Sequence, residues 1–115
     1  MSDAPILGPV NHIVDLDAAS DFERKHTPFI SAERDGDSVR VTIVVGHYVS
    51  HPNQPDHFIQ WIELYADGAP IVRVDLAPVA ASPDVSFVVS VPSGTTLRAV
   101  EYCNLHGLWA AEISV

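Results

Sequence analysis

The sequence predicts an all-β fold, an immunoglobulin-like antiparallel β-sandwich. Short segments rich in β-branched residues recur at regular spacing, and Pro, Gly, Asp and Asn separate them. No segment has the long 3.6-residue hydrophobic period of a helix that crosses between parallel strands. Many short strands without such helices are typical of a sandwich.

Seven segments carry the strand pattern, at residues 29–33, 39–45, 57–65, 71–76, 85–91, 95–102 and 108–115. Asp67-Gly68 marks a hairpin turn between the third and the fourth. In the third segment, alternation puts Phe58, Ile62 and Leu64 on one face, and Ile59, Trp61 and Tyr65 on the other. One short helical turn is predicted at 18–25, with Asp17 as its cap.

The length of 115 residues predicts a single domain, 1–115, in which residues 1–20 form a loop-rich N-terminal segment. The net charge is −9 and Lys and Arg total only 6, so we expect no nucleic-acid partner. The sequence shows neither a basic, apolar leader nor an apolar run of membrane-spanning length. We therefore expect a cytoplasmic location and no contact with membranes.

The histidines point to a metal site. Four of the six, and the one cysteine, fall in predicted loops or at strand ends: His26, His51, His57, His106 and Cys103. Strand ends gather at the rims of a sandwich, so these side chains can converge. Thiolate and imidazole suit iron, copper or zinc and do not suit calcium or magnesium. Each motif alone is more typical of an ordinary loop; the combination favours a metal.

Three blocks of sequence carry a resemblance to a known family. They are Lys25-His26-Thr27-Pro28, then His51-Pro52-Asn53 with residues 57–65, and finally residues 102–109, which read Tyr-Cys-Asn-Leu-His-Gly-Leu-Trp. In these blocks the chain resembles the superoxide reductases, in particular the one-iron neelaredoxin type related to the iron domain of desulfoferrodoxin. The similarity runs from about Phe22 to the C-terminus.

The resemblance implies one iron ion per chain, cycling between Fe(2+) and Fe(3+), that reduces superoxide to hydrogen peroxide. Its implied equatorial ligands are His26, His51, His57 and His106, and the implied axial ligand is Cys103. The backbone amides of Leu105 and His106 are expected to donate hydrogen bonds to the cysteine sulfur. His12 and His47 match no ligand of the family, and we expect them at the surface.

Two residues before His26 carry further expectations. Lys25 matches the lysine that the family places beside the open coordination position, where it would attract the superoxide anion and help deliver protons. Many family members have a glutamate directly before that lysine, which binds the oxidised iron; here that position is Arg24. Glu23, one residue earlier, is the candidate sixth ligand.

The resemblance also implies two kinds of protein partner, an electron donor and further copies of this chain. We expect the chain to lack the small cysteine-rich N-terminal iron domain of desulfoferrodoxin, so electrons would come from a separate donor such as a rubredoxin-like protein. The family also implies a homo-oligomer, a tetramer or a dimer.

Two other functions fit parts of the pattern. A cupredoxin-like electron carrier also combines Cys and His on a β-sandwich, but it usually needs a weak axial methionine, and the only methionine is Met1. It would also leave two histidines without a role. A non-catalytic metal-binding module of the same fold would explain Arg24 at the position of the family's glutamate.

Overall fold

The computed structural model describes residues 9–115, which form eight strands and one short α-helix. The strands are β1 (Val10–His12), β2 (Pro28–Asp35), β3 (Ser38–Val45), β4 (Ile59–Ala66), β5 (Ala69–Asp75), β6 (Asp84–Ser90), β7 (Thr96–Cys103) and β8 (Gly107–Ser114). The helix α1 covers Asp21–His26, after a 3₁₀ turn at Leu16–Ala18. Each end of the seven predicted strands lies within two residues of an observed strand end.

The strands form two sheets. A five-stranded sheet has the order β1-β8-β7-β4-β5, and a three-stranded sheet has the order β2-β3-β6. Every pairing is antiparallel except that of β1 with β8, which is parallel. The predicted immunoglobulin-like antiparallel sandwich is therefore confirmed.

The N-terminal segment is more ordered than the sequence predicts. β1 lies within the segment expected to be loop-rich, and it pairs through Val10 with Leu108 at the edge of the five-stranded sheet. Three residues are too few to show a strand period, which explains why the pattern missed it. Residues 1–8 of the predicted loop segment lie outside the described residues.

The predicted helix is shorter than expected, and its predicted cap was wrong. α1 begins at Asp21, because Ser20 and Glu23 form a capping box in which each side chain binds the other residue's backbone N–H. Asp17 belongs instead to the preceding 3₁₀ turn, which Asp15 caps.

The main core lies between the sheets. Alternate residues of β3, β4 and β7 point inward and are fully buried: Val39, Val41, Ile43, Ile62, Leu64, Leu97 and Ala99. Ile59 also joins this core, so its predicted face was wrong. The register of β4 against β7 shifts between Ile59 and Trp61, and this bulge reverses the alternation at the start of the strand.

One rim of the sandwich collects the chain segments that matter for function. β3 and β7 end there, at Val45 and Cys103, while β2, β4 and β8 begin there. The end of α1, the β3–β4 loop and the β7–β8 turn therefore meet at this rim. Among the described residues, no helix is long and apolar enough to cross a membrane.

Candidate metal centre

Four of the predicted ligands form a compact group at the rim. The donor atoms of His26, His57, Cys103 and His106 all lie within 4.8 Å of one another. Nδ1 of His106 is 3.2 Å from Nε2 of His26 and 3.9 Å from Sγ of Cys103. Bonds of about 2.0–2.3 Å from imidazole and thiolate to a first-row metal would fit this spacing.

The fifth predicted ligand, His51, lies beside that group. Its Nε2 is 3.5 Å from the Cys103 sulfur, and its ring centroid is 4.8 Å from that of His26 and 4.9 Å from that of His57. The structure therefore brings together all five residues that the sequence selected.

The two remaining histidines lie elsewhere, exposed as expected. Nε2 of His12 contacts Arg98 at 3.1 Å, and His47 stacks on Phe29 with ring centroids 3.9 Å apart.

His26 is oriented by the helix that it ends. Its Nδ1 lies 2.7 Å from the Phe22 carbonyl oxygen, so Nδ1 donates its proton there and leaves the lone pair on Nε2 facing the group. Trp109 stacks on the same ring at 5.0 Å. The side chain is fully buried, and these two contacts hold its ring in place.

His51 is held in the same way. Its Nδ1 lies 2.7 Å from the Pro52 carbonyl oxygen, which again leaves Nε2 as the free donor atom. Gly46 makes room for this arrangement. It has φ +95°, and a Cβ there would come within 3.0 Å of the His51 backbone nitrogen.

Asn104 joins the two loops that carry the other ligands. Its carbonyl oxygen accepts a hydrogen bond from the Phe58 backbone N–H at 2.9 Å, and its amide donates to the Asp56 carbonyl at 2.9 Å. These bonds fix the His57 loop against the turn that holds Cys103 and His106. The indole of Trp109 donates to the His106 carbonyl at 3.1 Å and braces the other side of the turn.

Burial favours the neutral form of three of these histidines. Burial lowers the pKa of His51 to about 4, and burial also lowers the pKa of His26 and of His57. A neutral imidazole keeps a lone pair free, which metal binding requires.

Cys103 is fully buried, and burial raises the pKa of its thiol, while hydrogen bonds from the backbone amides of Leu105 and His106 act to lower it. These are the two amides that the sequence analysis selected. They would stabilise a thiolate once a cation binds.

One atom supports metal binding directly. Nε2 of His57 is buried and has no hydrogen-bond partner in the described part of the chain. Such a group costs free energy unless something occupies it. An ion bound by His57, Cys103 and the neighbouring imidazoles would satisfy it, so these residues fit a soft or borderline metal such as iron.

Lys25 lies close to the group. It is half-buried, and its positive charge contributes to the lowered pKa values of His26, His51 and His57. Its ammonium is thus within electrostatic reach of three predicted ligands.

The side chains of Glu23 and Arg24 are held elsewhere. Oε1 of Glu23 accepts hydrogen bonds from the Ser20 backbone N–H at 2.9 Å and from its hydroxyl at 3.2 Å. The Arg24 guanidinium donates to the carbonyls of Leu16 at 3.0 Å and Asp17 at 2.8 Å, which ties the 3₁₀ turn to α1. Neither side chain joins the donor group, and the role of Glu23 as sixth ligand stays a prediction.

The sequence analysis missed Glu101. It lies on β7 two residues before Cys103, fully buried, and neither carboxyl oxygen has a hydrogen-bond partner within residues 9–115. Burial raises the pKa of this carboxyl well above its usual value. The sequence contained a signal for this, because Leu97, Ala99 and Cys103 alternate on the inner face and Glu101 takes the position between Ala99 and Cys103.

Comparison with known proteins decides the family. The desulfoferrodoxin family model matches residues 18–112, which include all five predicted ligands. The chain belongs to the desulfoferrodoxin and superoxide reductase family.

Individual relatives agree with this assignment. The superoxide reductase of Pyrococcus horikoshii is 40% identical over 100 residues, which cover 79% of this chain and 87% of that protein. The desulfoferrodoxin of Syntrophotalea carbinolica is 42% identical over 98 residues, covering 84% of this chain and 67% of that protein. The solved superoxide reductase (neelaredoxin) of Ignicoccus hospitalis superposes with a TM-score of 0.77 at 33% identity, covering 92% of this chain and 93% of that one.

Proposed function

We propose that the chain is a superoxide reductase: it binds iron and reduces superoxide to hydrogen peroxide with one electron and two protons. The observation that carries the proposal is the convergence of Cys103 Sγ with three imidazoles, one of which has a buried, unpartnered nitrogen. The family match adds support, because several relatives are named superoxide reductase.

We assign the metal to His26, His51, His57, His106 and Cys103, with one ion per chain. Iron held there would supply the electron by changing between the ferrous and ferric states. Cys103 provides a thiolate that pushes electron density toward the metal. The amides of Leu105 and His106 moderate that donation through their hydrogen bonds to the sulfur.

Lys25 gives the mouth of the site its local positive charge. The whole molecule, at −9, repels an anion at long range. Within about one Debye length, ~8 Å at physiological salt, local charge dominates. Lys25 therefore attracts superoxide over the last few ångströms, and it or a water that it holds supplies a proton.

Lys25→Ala tests this role. We expect the rate constant for superoxide capture to fall and its dependence on ionic strength to flatten, as measured by pulse radiolysis. Arg24→Ala is the matched control, because that guanidinium is already bound to two backbone carbonyls. A rate constant for Lys25→Ala equal to that of the unmodified protein would remove the role.

The Glu23 carboxylate is held in the capping box and is not oriented as a sixth ligand. The capping box would have to open before Glu23 could turn to the site, losing about 1 kcal/mol of helix stability. We therefore favour a ferric site without a glutamate ligand. Equal visible spectra for the oxidised unmodified protein and for Glu23→Gln would support this, and a spectral shift in the variant would assign Glu23 to the metal.

The decisive experiment for the function combines three measurements. Protein purified without oxygen should contain iron, should show a thiolate-to-iron absorption band when oxidised, and should consume superoxide without releasing oxygen when a reductant is supplied. Copper in place of iron would favour the cupredoxin-like alternative, which the family match already disfavours. Iron without superoxide consumption would favour the non-catalytic alternative.

The remaining predictions concern partners and location. We propose an external one-electron donor, with a rubredoxin-like protein as the family expectation. A homotetramer or homodimer and a cytoplasmic location stay predictions of the sequence.

A further inference from the structure

We propose that Asn53 is a positioning residue for the metal site: it anchors the strained backbone of Val79 and thereby fixes the carbonyl that orients His51. This role rests on the proposed function, because it requires that His51 binds the metal. The β5–β6 loop that carries Val79 holds none of the predicted ligands, so the role links the site to a region outside it.

Val79 has a strained backbone conformation. Its φ is +66°, and among the described residues only one other non-glycine residue, Asp67, has a positive φ. Asp67 lies in the tight turn between β4 and β5, where such a conformation is usual, but a β-branched residue is strongly disfavoured there. The Val79 side chain is 57% exposed, so its burial offsets little of this cost. Contacts of the backbone must therefore hold the conformation.

The side chain of Asn53 makes those contacts. Its Oδ1 accepts a hydrogen bond from the Val79 backbone N–H at 2.7 Å, and its Nδ2 donates to the carbonyls of Ala81 at 3.2 Å and Val79 at 3.4 Å. An amide side chain can both accept and donate in this way. In its left-handed conformation Val79 thus presents both of its backbone polar groups to one side chain, and Asn53 and the strained loop hold each other in place.

The anchored residue adjoins the peptide group that orients His51. Nδ1 of His51 donates to the Pro52 carbonyl oxygen at 2.7 Å, and this carbonyl belongs to the peptide bond that joins Pro52 to Asn53. The proline ring fixes φ at about −65°, so the carbonyl can turn only by rotation about ψ of Pro52. That rotation moves Asn53 relative to Pro52. Fixing Asn53 therefore fixes the acceptor of the His51 ring.

His51 depends on this acceptor more than His26 depends on its own. His26 is fully buried, and the Trp109 ring stacks on it in addition to its bond to a helix carbonyl. His51 is only half-buried and lies beside the compact donor group, with Nε2 3.5 Å from the Cys103 sulfur. If Nδ1 lost its acceptor, the proton could move to Nε2, and an N–H would replace the lone pair that a metal needs.

Asn53→Ala removes the anchor, and Asn11→Ala is the matched control. Asn11 is also half-buried and donates its amide to a carbonyl, that of Leu108 at 3.0 Å, but it lies on β1. Nitrogen NMR of the isotope-labelled, metal-free proteins at neutral pH shows which nitrogen of His51 carries the proton. We expect only the Nδ1-protonated form in the unmodified protein and in Asn11→Ala, and a mixture of both forms in Asn53→Ala. Only the Nδ1-protonated form in Asn53→Ala, or equal mixtures in both variants, would overturn the proposal.

Iron binding gives a second readout. We expect Asn53→Ala to weaken the binding of ferrous iron about tenfold, and Asn11→Ala to change it by less than about twofold, as competition with a chelator measures. The thiolate-to-iron band of the oxidised protein should shift in Asn53→Ala alone. Equal iron affinities of the two variants would contradict the role of Asn53. An unmodified protein that binds no iron would overturn the proposed function, whereas the NMR experiment needs no metal and tests the hold on His51 separately.

Val79→Gly tests the anchor from the other side, without removing the Asn53 side chain. Glycine keeps the backbone groups that Asn53 binds and adopts a positive φ without strain. We expect the urea midpoint of the metal-free protein to rise, with the His51 proton position and the iron affinity unchanged. When Asn53→Ala is added, the rise should disappear, because Val79 without its anchor can leave the strained conformation. A midpoint that falls in Val79→Gly, or a rise of equal size with and without Asn53, would overturn the proposal.

Discussion

Two polar clusters, one on the outer face of the five-stranded sheet and one at the rim, differ in whether their polar atoms have partners within the chain. On its outer face, Tyr65 donates to Glu63 at 2.8 Å, and Arg73 binds Glu63 at 2.8 Å and Asp75 at 3.1 Å. Arg73 also lies 4.6 Å above the Trp61 ring. At the rim, by contrast, His57 leaves a buried nitrogen without a partner.

The difference separates a polar cluster that stabilises the fold from one that binds a ligand. Buried polar groups cost free energy unless they are paired, and the outer cluster pairs them within the chain. In the rim cluster, His26 and His51 each pair Nδ1 with a carbonyl oxygen, and the donor atoms of His26, His57, Cys103 and His106 lie within 4.8 Å of one another. Such a set carries a free-energy cost that a bound group from outside the chain would remove.

The largest effect should come from Cys103→Ser. Without the sulfur we expect the thiolate-to-iron band of the oxidised protein and the reductase activity to disappear, because no other side chain in the described group is a thiolate. Visible spectroscopy and superoxide consumption measure both. A band that persists in the variant would show that the axial ligand is wrongly assigned.

His57→Leu should separate binding from folding. We expect iron content per chain to fall at least tenfold, while the free energy of unfolding of the metal-free protein stays equal or rises by up to about 1 kcal/mol, since an unpaired buried nitrogen is removed. Chemical denaturation and metal analysis measure these quantities. His47→Leu, outside the donor group, is the control for iron content. If His57→Leu destabilises the metal-free protein by more than 1 kcal/mol, the rim cluster is structural and the contrast fails.

The sequence predicted the sandwich well because strand alternation is a local signal. Each of the seven predicted strands is present. In β3 and β7, for example, every second residue is buried in the core, which is the alternation that the sequence shows. The errors lie where local pattern is not enough. The face of Ile59 depends on a bulge in the pairing of β4 with β7, and the pairing of β1 depends on β8, nearly 100 residues away.

The site was predicted for a different reason. The five predicted ligands come from three separate parts of the sequence, and composition alone left a loop explanation open. The blocks around His26, His51 and Cys103 selected them through a resemblance.

The capping box had a signal that was not used, because Ser20 and Glu23 stand in the Ser-x-x-Glu spacing of that motif. The two hydrogen bonds from Arg24 to the carbonyls of Leu16 and Asp17 follow only from three-dimensional contacts.

Glu63→Ala tests the outer cluster. Removing this carboxylate leaves the buried Tyr65 hydroxyl and the Arg73 guanidinium without a shared partner, so we expect a loss of about 1–3 kcal/mol in the free energy of unfolding, with iron content unchanged. Urea denaturation measures the loss. Glu33→Ala, at an exposed position on β2, should cost less than about 0.5 kcal/mol. Equal losses would mean that the outer cluster adds nothing beyond an ordinary surface.

The smallest effect is a pH dependence at Tyr65. Burial and the hydrogen bond to Glu63 raise the pKa of its phenol from 10.0 to about 12. The unfolded chain loses this proton near pH 10 while the fold keeps it until about 12, so this contribution to stability is complete below pH 10 and falls as pH rises through 12. Tyr65→Phe lacks it. The difference in unfolding free energy between the two proteins should therefore narrow between pH 10 and 12, as urea denaturation at several pH values can measure. A constant difference would mean that Tyr65 ionises equally easily in both states, and the outer cluster would then be less tightly paired than its distances indicate.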